Sequence, residues 1–166
     1  MSSDQIKRIR NLLKDHERRI RLLESKFESQ EGEQITPSKD KRGVEKLAKK
    51  IDVTSDKIGE LFDAENETLT LVKVVGADDC EKTCNTALVI LLGYKYLLGV
   101  GEVLSQEIRR NVAENRIPLN NFATYLNEII PSMIRRKGKR KSPKTTYRLT
   151  TLGEVEGREV LKKLCG

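Results

Sequence analysis

Residues 119–150 read LNNFATYLNEIIPSMIRRKGKRKSPKTTYRLT, and this stretch decides how the rest of the chain is read. It opens with the pattern of a helix. Asn120 or Asn121 can cap the start, because a short side-chain oxygen accepts from the orphan N–H groups of a first turn. Phe122, Leu126 and Ile129 follow at steps of four and three with Tyr125 beside them, a stripe that can face a core. Asn121, Thr124, Asn127 and Glu128 fall on the other faces. Pro131 stops the helix, and Met133 and Ile134 lead into Arg135, Arg136, Lys137, Gly138, Lys139, Arg140, Lys141, Ser142, Pro143 and Lys144. The segment 145–150 is β-branched and aromatic with alternating polarity, as strands are. The pattern therefore predicts a polar-faced helix over 119–130 and then two strands joined by a basic tip. Eight of the fourteen residues from Arg135 to Arg148 are Lys or Arg and none is acidic.

That local imbalance matters more than the global one. The chain has 166 residues, 37% apolar and 34% charged, with a formal net charge of +7 and a pI near 9.3. Such a balance makes a polyanionic partner worth testing, while a basic pI alone often marks only a solvated surface. Lean apolar content favours modest cores and assembly between chains. The most apolar run, 87–100, is broken by Gly93, Lys95 and Gly99 and falls short of the ~20 apolar residues a membrane span needs. The polar start Met1-Ser2-Ser3-Asp4 has no signal-peptide character, so a cytoplasmic protein is expected. Three cysteines, Cys80, Cys84 and Cys165, are an odd number for a secreted disulfide framework, and reduced thiols are expected.

Upstream, Ile6, Ile9, Leu13, His16, Ile20, Leu23 and Phe27 step alternately by three and four. This is a heptad seam, with Ile6, Leu13, Ile20 and Phe27 at a and Ile9, His16 and Leu23 at d. Arg19 and Lys26 then sit at g and Glu24 and Glu31 at the following e positions, which would pair across a parallel dimer. Residues 1–30 are read as a dimerisation helix, with docking on the same chain as the alternative. His16 reads as a polar seam residue, since no nucleophile or carboxylate pair accompanies it. Residues 31–42, interrupted by Gly32 and Pro37, read as a linker.

Residues 43–78 form a small helix-turn-helix-like unit. Val44, Leu47 and Ile51 make one stripe, Asp52-Val53 a turn, Thr54 or Ser55 a cap, and Ile58, Leu61 and Phe62 a second apolar face. A strand is expected over 69–75 after a turn at Glu65-Asn66-Glu67. The second helix carries Asp56, Glu60 and Asp63 against only Lys57, and such a face repels phosphate. Residues 79–166 form the last unit. Cys80 and Cys84 lie one helical turn apart, and without further ligands no metal site is expected. The run from Ala87 to Leu98 is apolar on all sides and should be a buried helix. Glu102 to Asn115 is expected as the next helix, with Val103-Leu104, Ile108 and Val112 inward and Ser105, Arg109 and Arg110 outward. A final helix runs from Glu154 to Leu164.

The order buried helix, helix, turn, polar-faced helix, basic hairpin and final helix resembles a winged helix-turn-helix. The run Tyr147-Arg148-Leu149-Thr150-Thr151-Leu152-Gly153 is similar to the Y-x-L-T-x-x-G close of the second wing strand in regulators of the MarR and PadR type. The style of the sequence points to an archaeal member. Residues 44–58, VEKLAKKIDVTSDKI, resemble the LA-x-x-x-G-V-S core of helix-turn-helix proteins, with Asp52 where Gly usually sits. The resemblance implies a mainly α fold with a small β-hairpin and a homodimeric transcriptional regulator that binds double-stranded DNA without a cofactor. In that arrangement Asn120, Asn121, Thr124 and Asn127 would meet base edges, where Asn can pair bidentately with adenine. Arg135, Arg136, Lys137, Lys139, Arg140, Lys141, Lys144 and Arg148 would contact the backbone. The competing class is a protein-interaction adaptor on the same scaffold. An enzyme is not expected, since the chain lacks a Gly-rich phosphate loop, a Ser-His-Asp or Cys-His pattern and HExxH.

Overall fold

The structure, a computed structural model, describes residues 41–65, 67–139 and 142–166. The expected dimerisation seam from Ile6 to Phe27, the expected linker up to residue 40, and Arg140 and Lys141 of the expected wing lie outside the described residues. The described residues belong to one compact unit and are mainly helical, with two small antiparallel sheets.

The chain first makes helix α1 (Lys41–Ile51), which buries Val44, Leu47, Ala48 and Ile51. The helix closes as its apolar pattern runs out: Asp52 takes φ 58° and the Val53 N–H reaches back to the Ala48 carbonyl at 3.1 Å. That 6→1 bond with a left-handed residue is how helices commonly terminate, and Asp occupies here the conformation glycine would adopt without strain. Helix α2 (Ser55–Leu61) follows, with Thr54 at the N-cap position but making no side-chain cap bond. It passes directly into β1 (Phe62–Glu65), which pairs with β2 (Thr68–Leu71) from Phe62↔Leu71 to Glu65↔Thr68.

Two expectations are corrected here. Phe62 belongs to a strand and not to the second helix, and the second strand ends at Leu71 instead of continuing to Val75. The reason is packing. Phe62 and Leu69 both close on the face of the next helix at Gly93, where an added β-carbon would lie 2.5 Å from Leu69 Cδ2 and 2.8 Å from Phe62 Cε1. The glycine that interrupts the apolar run is thus the seat of the first hairpin. Beyond Leu71 the next inward position of the alternation falls on Lys73, which is exposed, so the burial pattern of the strand is not carried on.

Helix α3 (Asp79–Leu97) starts with Asp78 accepting from the Glu81 N–H at 2.8 Å while the Glu81 carboxylate accepts from the Ala77 N–H at 2.8 Å. It is buried nearly all round from Thr83 to Tyr94 and every other helix packs around it or its neighbours. Each fully buried Leu or Ile contributes roughly 2 kcal/mol, so this helix is where most of the hydrophobic stabilisation converges. Residues 41–71 and 79–166 share a single core, in which Leu47, Ile58 and Phe62 join Ile90, Leu92, Ile108, Phe122 and Leu161.

The helix expected over 102–115 is shorter. Val103–Leu104 form strand β3, and helix α4 runs from Ser105 to Glu114. Sequence periodicity cannot separate a two-residue strand from a helical turn, because the choice is made by a distant partner: Val103 pairs with Tyr147 and Leu104 with Thr146. Helix α5 spans Phe122–Glu128 inside the expected 119–130. Strands β4 (Ile134–Lys137) and β5 (Thr146–Leu149) then form the expected hairpin, giving the sheet order β3-β5-β4. Helix α6 (Thr151–Cys165) begins three residues earlier than expected.

The last motif has a packing explanation. Tyr147 is buried between the strands, Thr150 Oγ1 accepts from the Gly153 N–H at 3.1 Å and donates to the Ser132 carbonyl at 2.6 Å, and a β-carbon on Gly153 would run into the Met133 carbonyl oxygen. The run couples the end of the hairpin to the start of α6. Of the run, Tyr147 and Gly153 are buried, while Arg148, Thr151 and Leu152 are exposed.

Candidate nucleic-acid interface

The polar helix and the basic hairpin are built on opposite principles. α5 is held by Phe122 and Leu126, 1% and 0% exposed. With those side chains inward, Asn120, Asn121, Thr124 and Asn127 are all exposed. Asn120 and Asn121 precede the first helical residue and sit in the turn instead of on the helix. Asn121 makes no cap bond; its Nδ2 donates to Tyr125 Oη at 3.3 Å. Thr124 and Asn127 project from the helix one turn apart. The Arg109 guanidinium lies 4.8 Å from the Phe122 ring centroid and so stands beside the start of α5. A groove of about 750 Å³ opens there between α4, the 119–123 segment and the hairpin loop, lined by Gln106, Arg109, Asn120, Ser142 and Pro143 among others.

The hairpin has a rigid base and an open surface. Thr145, 2% exposed, donates through Oγ1 to the Lys139 carbonyl at 2.6 Å, and its own carbonyl accepts from the Ser105 N–H at 2.8 Å. Gly138 takes φ 104° where the strand leaves the ladder. Register decides which way the cations point. Ile134 pairs with Leu149 and Arg136 with Tyr147, while Arg135 pairs with Arg148 and Lys137 with Thr146. Alternation along the strands therefore puts Arg135, Lys137 and Arg148 on one face. Arg135, Arg136, Lys137, Lys139, Lys144 and Arg148 are all exposed.

One acid intrudes. Glu102 takes Lys137 Nζ at 3.2 Å and Thr146 Oγ1 at 3.3 Å, and the Lys137 bond holds its carboxyl below the usual carboxylate range. Among the described residues, Arg135, Arg136, Lys139, Lys144 and Arg148 meet no carboxylate at ion-pair distance. Arg135 directly faces Arg148 across the ladder. Like charges in that position destabilise a sheet.

Other candidates fall into structural roles. Arg110, expected to be available outward, is turned onto Glu107, Glu114, the Leu69 carbonyl and Thr70 Oγ1. Cys84 is buried and donates to the Tyr125 carbonyl at 3.3 Å, and burial pushes its pKa up to about 12. It is a neutral packing group joining α3 to α5. Cys80 and Cys165 are free thiols. Among the described residues no cluster of His, Cys, Asp or Glu is arranged to hold a metal ion, and no helix is long and apolar enough to cross a membrane. The reading of the sequence missed the cationic face of α1, where Lys46, Lys49 and Lys50 lie opposite the buried stripe. The signal lies in the sequence, where the apolar stripe Val44, Leu47 and Ile51 leaves these three lysines on the complementary face.

No family model, no curated protein and no solved structure matches this chain.

Proposed function

We propose that the chain is a double-stranded-DNA-binding protein of the winged-helix kind, a dimeric transcriptional regulator in which α5 enters the major groove and the β4–β5 hairpin is the wing. The reading is supported first by the Arg135–Arg148 opposition. Arg135 and Arg148 are cross-strand partners on an exposed strand pair, and among the described residues neither lies at ion-pair distance from a carboxylate, Glu102 acting on Arg148 only through space. The like-charge opposition is a cost to the free protein that a row of phosphates would relieve. Further support comes from the sheet order β3-β5-β4 after α3, with α4 and α5 between the first and second strands, which is the connectivity a wing requires. Thr124 and Asn127 are free to meet base edges, and Lys139 and Lys144 to meet phosphates. The homodimer is proposed on the heptad seam from Ile6 to Phe27.

Fluorescence anisotropy with random-sequence duplex between about 50 and 200 mM salt tests the reading. With four to six phosphate contacts the log–log salt slope is about −4 to −5. Absence of binding at the lowest salt rejects DNA as the partner and leaves the adaptor class.

A further inference from the structure

We propose that the hairpin is one end of a longer cationic track, which crosses the solvent face of the β3-β5-β4 sheet and the start of α6 and ends on α1, and which holds the backbone of a duplex that extends well past the wing. The inference rests on the DNA-binding reading above and assigns it a second contact surface. The track can be followed neighbour by neighbour. Arg135 and Arg148 line an open depression of about 420 Å³ together with Thr151 and Glu154. The Glu154 carboxylate is engaged by Lys95 and by the Tyr96 hydroxyl at 3.4 Å. The Tyr96 ring in turn carries the Lys50 ammonium, 5.6 Å from its centroid.

Lys50 opens onto the rest of α1. Because Val44, Leu47, Ala48 and Ile51 take the buried side, Lys46, Lys49 and Lys50 take the solvent side, and Glu45 is the only acid in the helix. Along the route the two other acids, Glu102 and Glu154, are each bound to a lysine. The charges left over are therefore positive at both ends. α1 is about 16 Å long at 1.5 Å per residue, which matches the rise of about five base pairs at 3.4 Å each. The occupant is a duplex and not a single strand, because the track offers no stacking platform: Tyr147 is buried and Tyr96 lies under Lys50.

The test uses the full chain, random-sequence duplexes of 12 and 30 base pairs and a 30-nucleotide single strand, with affinity scored per protomer. The salt slope on the long duplex is expected to be steeper than on the short one by about 2 to 3. The double change Lys46→Glu with Lys49→Glu should weaken the long duplex about tenfold and return its slope to that of the short one, with 12-base-pair binding unchanged. Lys46→Arg with Lys49→Arg should keep full affinity, and matching thermal melts confirm that both variants fold. Equal slopes for the two lengths, equal loss on both lengths in the charge-reversed variant, or tighter binding of the single strand overturns the track while the wing reading stands. If neither duplex binds, both fall.

Discussion

The molecule contains two regions with the same order of elements, helix, helix, hairpin, and they are finished in opposite ways. In the first, α1, α2 and β1–β2, the hairpin is consumed by the core. In the second, α4, α5 and β4–β5, the hairpin stands free with its cations exposed. The difference lies in what meets the outer edge of the strand. The Leu69 N–H donates to Tyr94 Oη at 3.2 Å and the Leu71 N–H to Asn111 Oδ1 at 2.7 Å. The Leu69 carbonyl accepts from Asn111 Nδ2 at 2.9 Å and the Leu71 carbonyl from Asn115 Nδ2 at 2.8 Å. Side chains of α3 and α4 thus stand in for a third strand on β2. The second hairpin instead has a real third strand, β3, on one side and an exposed β4 on the other. A helix-turn-helix-hairpin order therefore does not fix how the hairpin is finished; the edge partners and the sign of the charge do. Asp63, Glu65 and Glu67 are exposed on the first hairpin, where Arg135, Lys137 and Arg148 are exposed on the second.

The largest effect expected from this contrast is on binding. Replacing Arg135, Arg136, Lys139 and Lys144 together by Ala should lower affinity for any duplex by about a hundredfold or more near 150 mM salt and flatten the salt slope by about 3 to 4. Since these side chains are exposed, the melting temperature should stay the same or rise as the Arg135–Arg148 repulsion is removed. Unchanged anisotropy titrations would make the two hairpins equivalent and end the comparison.

The mirror experiment is Asn111→Ala. Asn111 is 0% exposed and serves the Leu71 N–H and the Leu69 and Glu107 carbonyls. Its removal leaves buried backbone groups unpaired at about 1–3 kcal/mol, to be read as a shift in the urea midpoint. Hydrogen exchange should speed up in β2 first. DNA affinity of the folded fraction should not move, and a loss of affinity larger than the loss of folded protein would show that the first hairpin is part of the binding surface.

A smaller and more selective effect belongs to α5. Thr124→Ala and Asn127→Ala should leave random-duplex affinity within about twofold but change the sequences enriched from a randomised library, since a good base-edge pair is worth about 1–3 kcal/mol of discrimination. Identical enriched sequences for wild type and both variants would restrict the protein to backbone recognition.

How far this contrast could be read from the chain depended on whether each feature was local. The buried α3, the basic hairpin, and the polar face of α5 were legible because periodicity and charge density are properties of a window. β1 and β3 were not. Phe62 has the same apolar character in a strand as on a helix face, and only its cross-strand partner Leu71 and its seat on Gly93 decide between them. Val103–Leu104 become a strand through Tyr147 and Thr146, more than forty residues away. The roles of Arg109 and Arg110 were likewise indistinguishable in sequence. One stands over Phe122 at the edge of the groove, and its neighbour is spent on Glu107, Glu114 and the first hairpin.

The smallest expected effect sits at the turn between α1 and α2. Asp52 holds φ 58°, a conformation that costs an L-residue roughly 1 kcal/mol and glycine little. Asp52→Gly relieves that cost but enlarges the freedom of the unfolded chain, which takes back about 0.4–1 kcal/mol. The two terms oppose each other, so the net change in unfolding free energy should be within about 0.5 kcal/mol of zero. Asp52→Ala keeps the β-carbon and loses the short polar side chain that tolerates the left-handed region, so it should be less stable than both. If Asp52→Ala matched the native chain, the strain at this turn would be absent, and the departure from glycine at this position would have no structural cost. If Asp52→Gly instead lowered stability by 1 kcal/mol or more, the carboxylate itself would be holding the first region together.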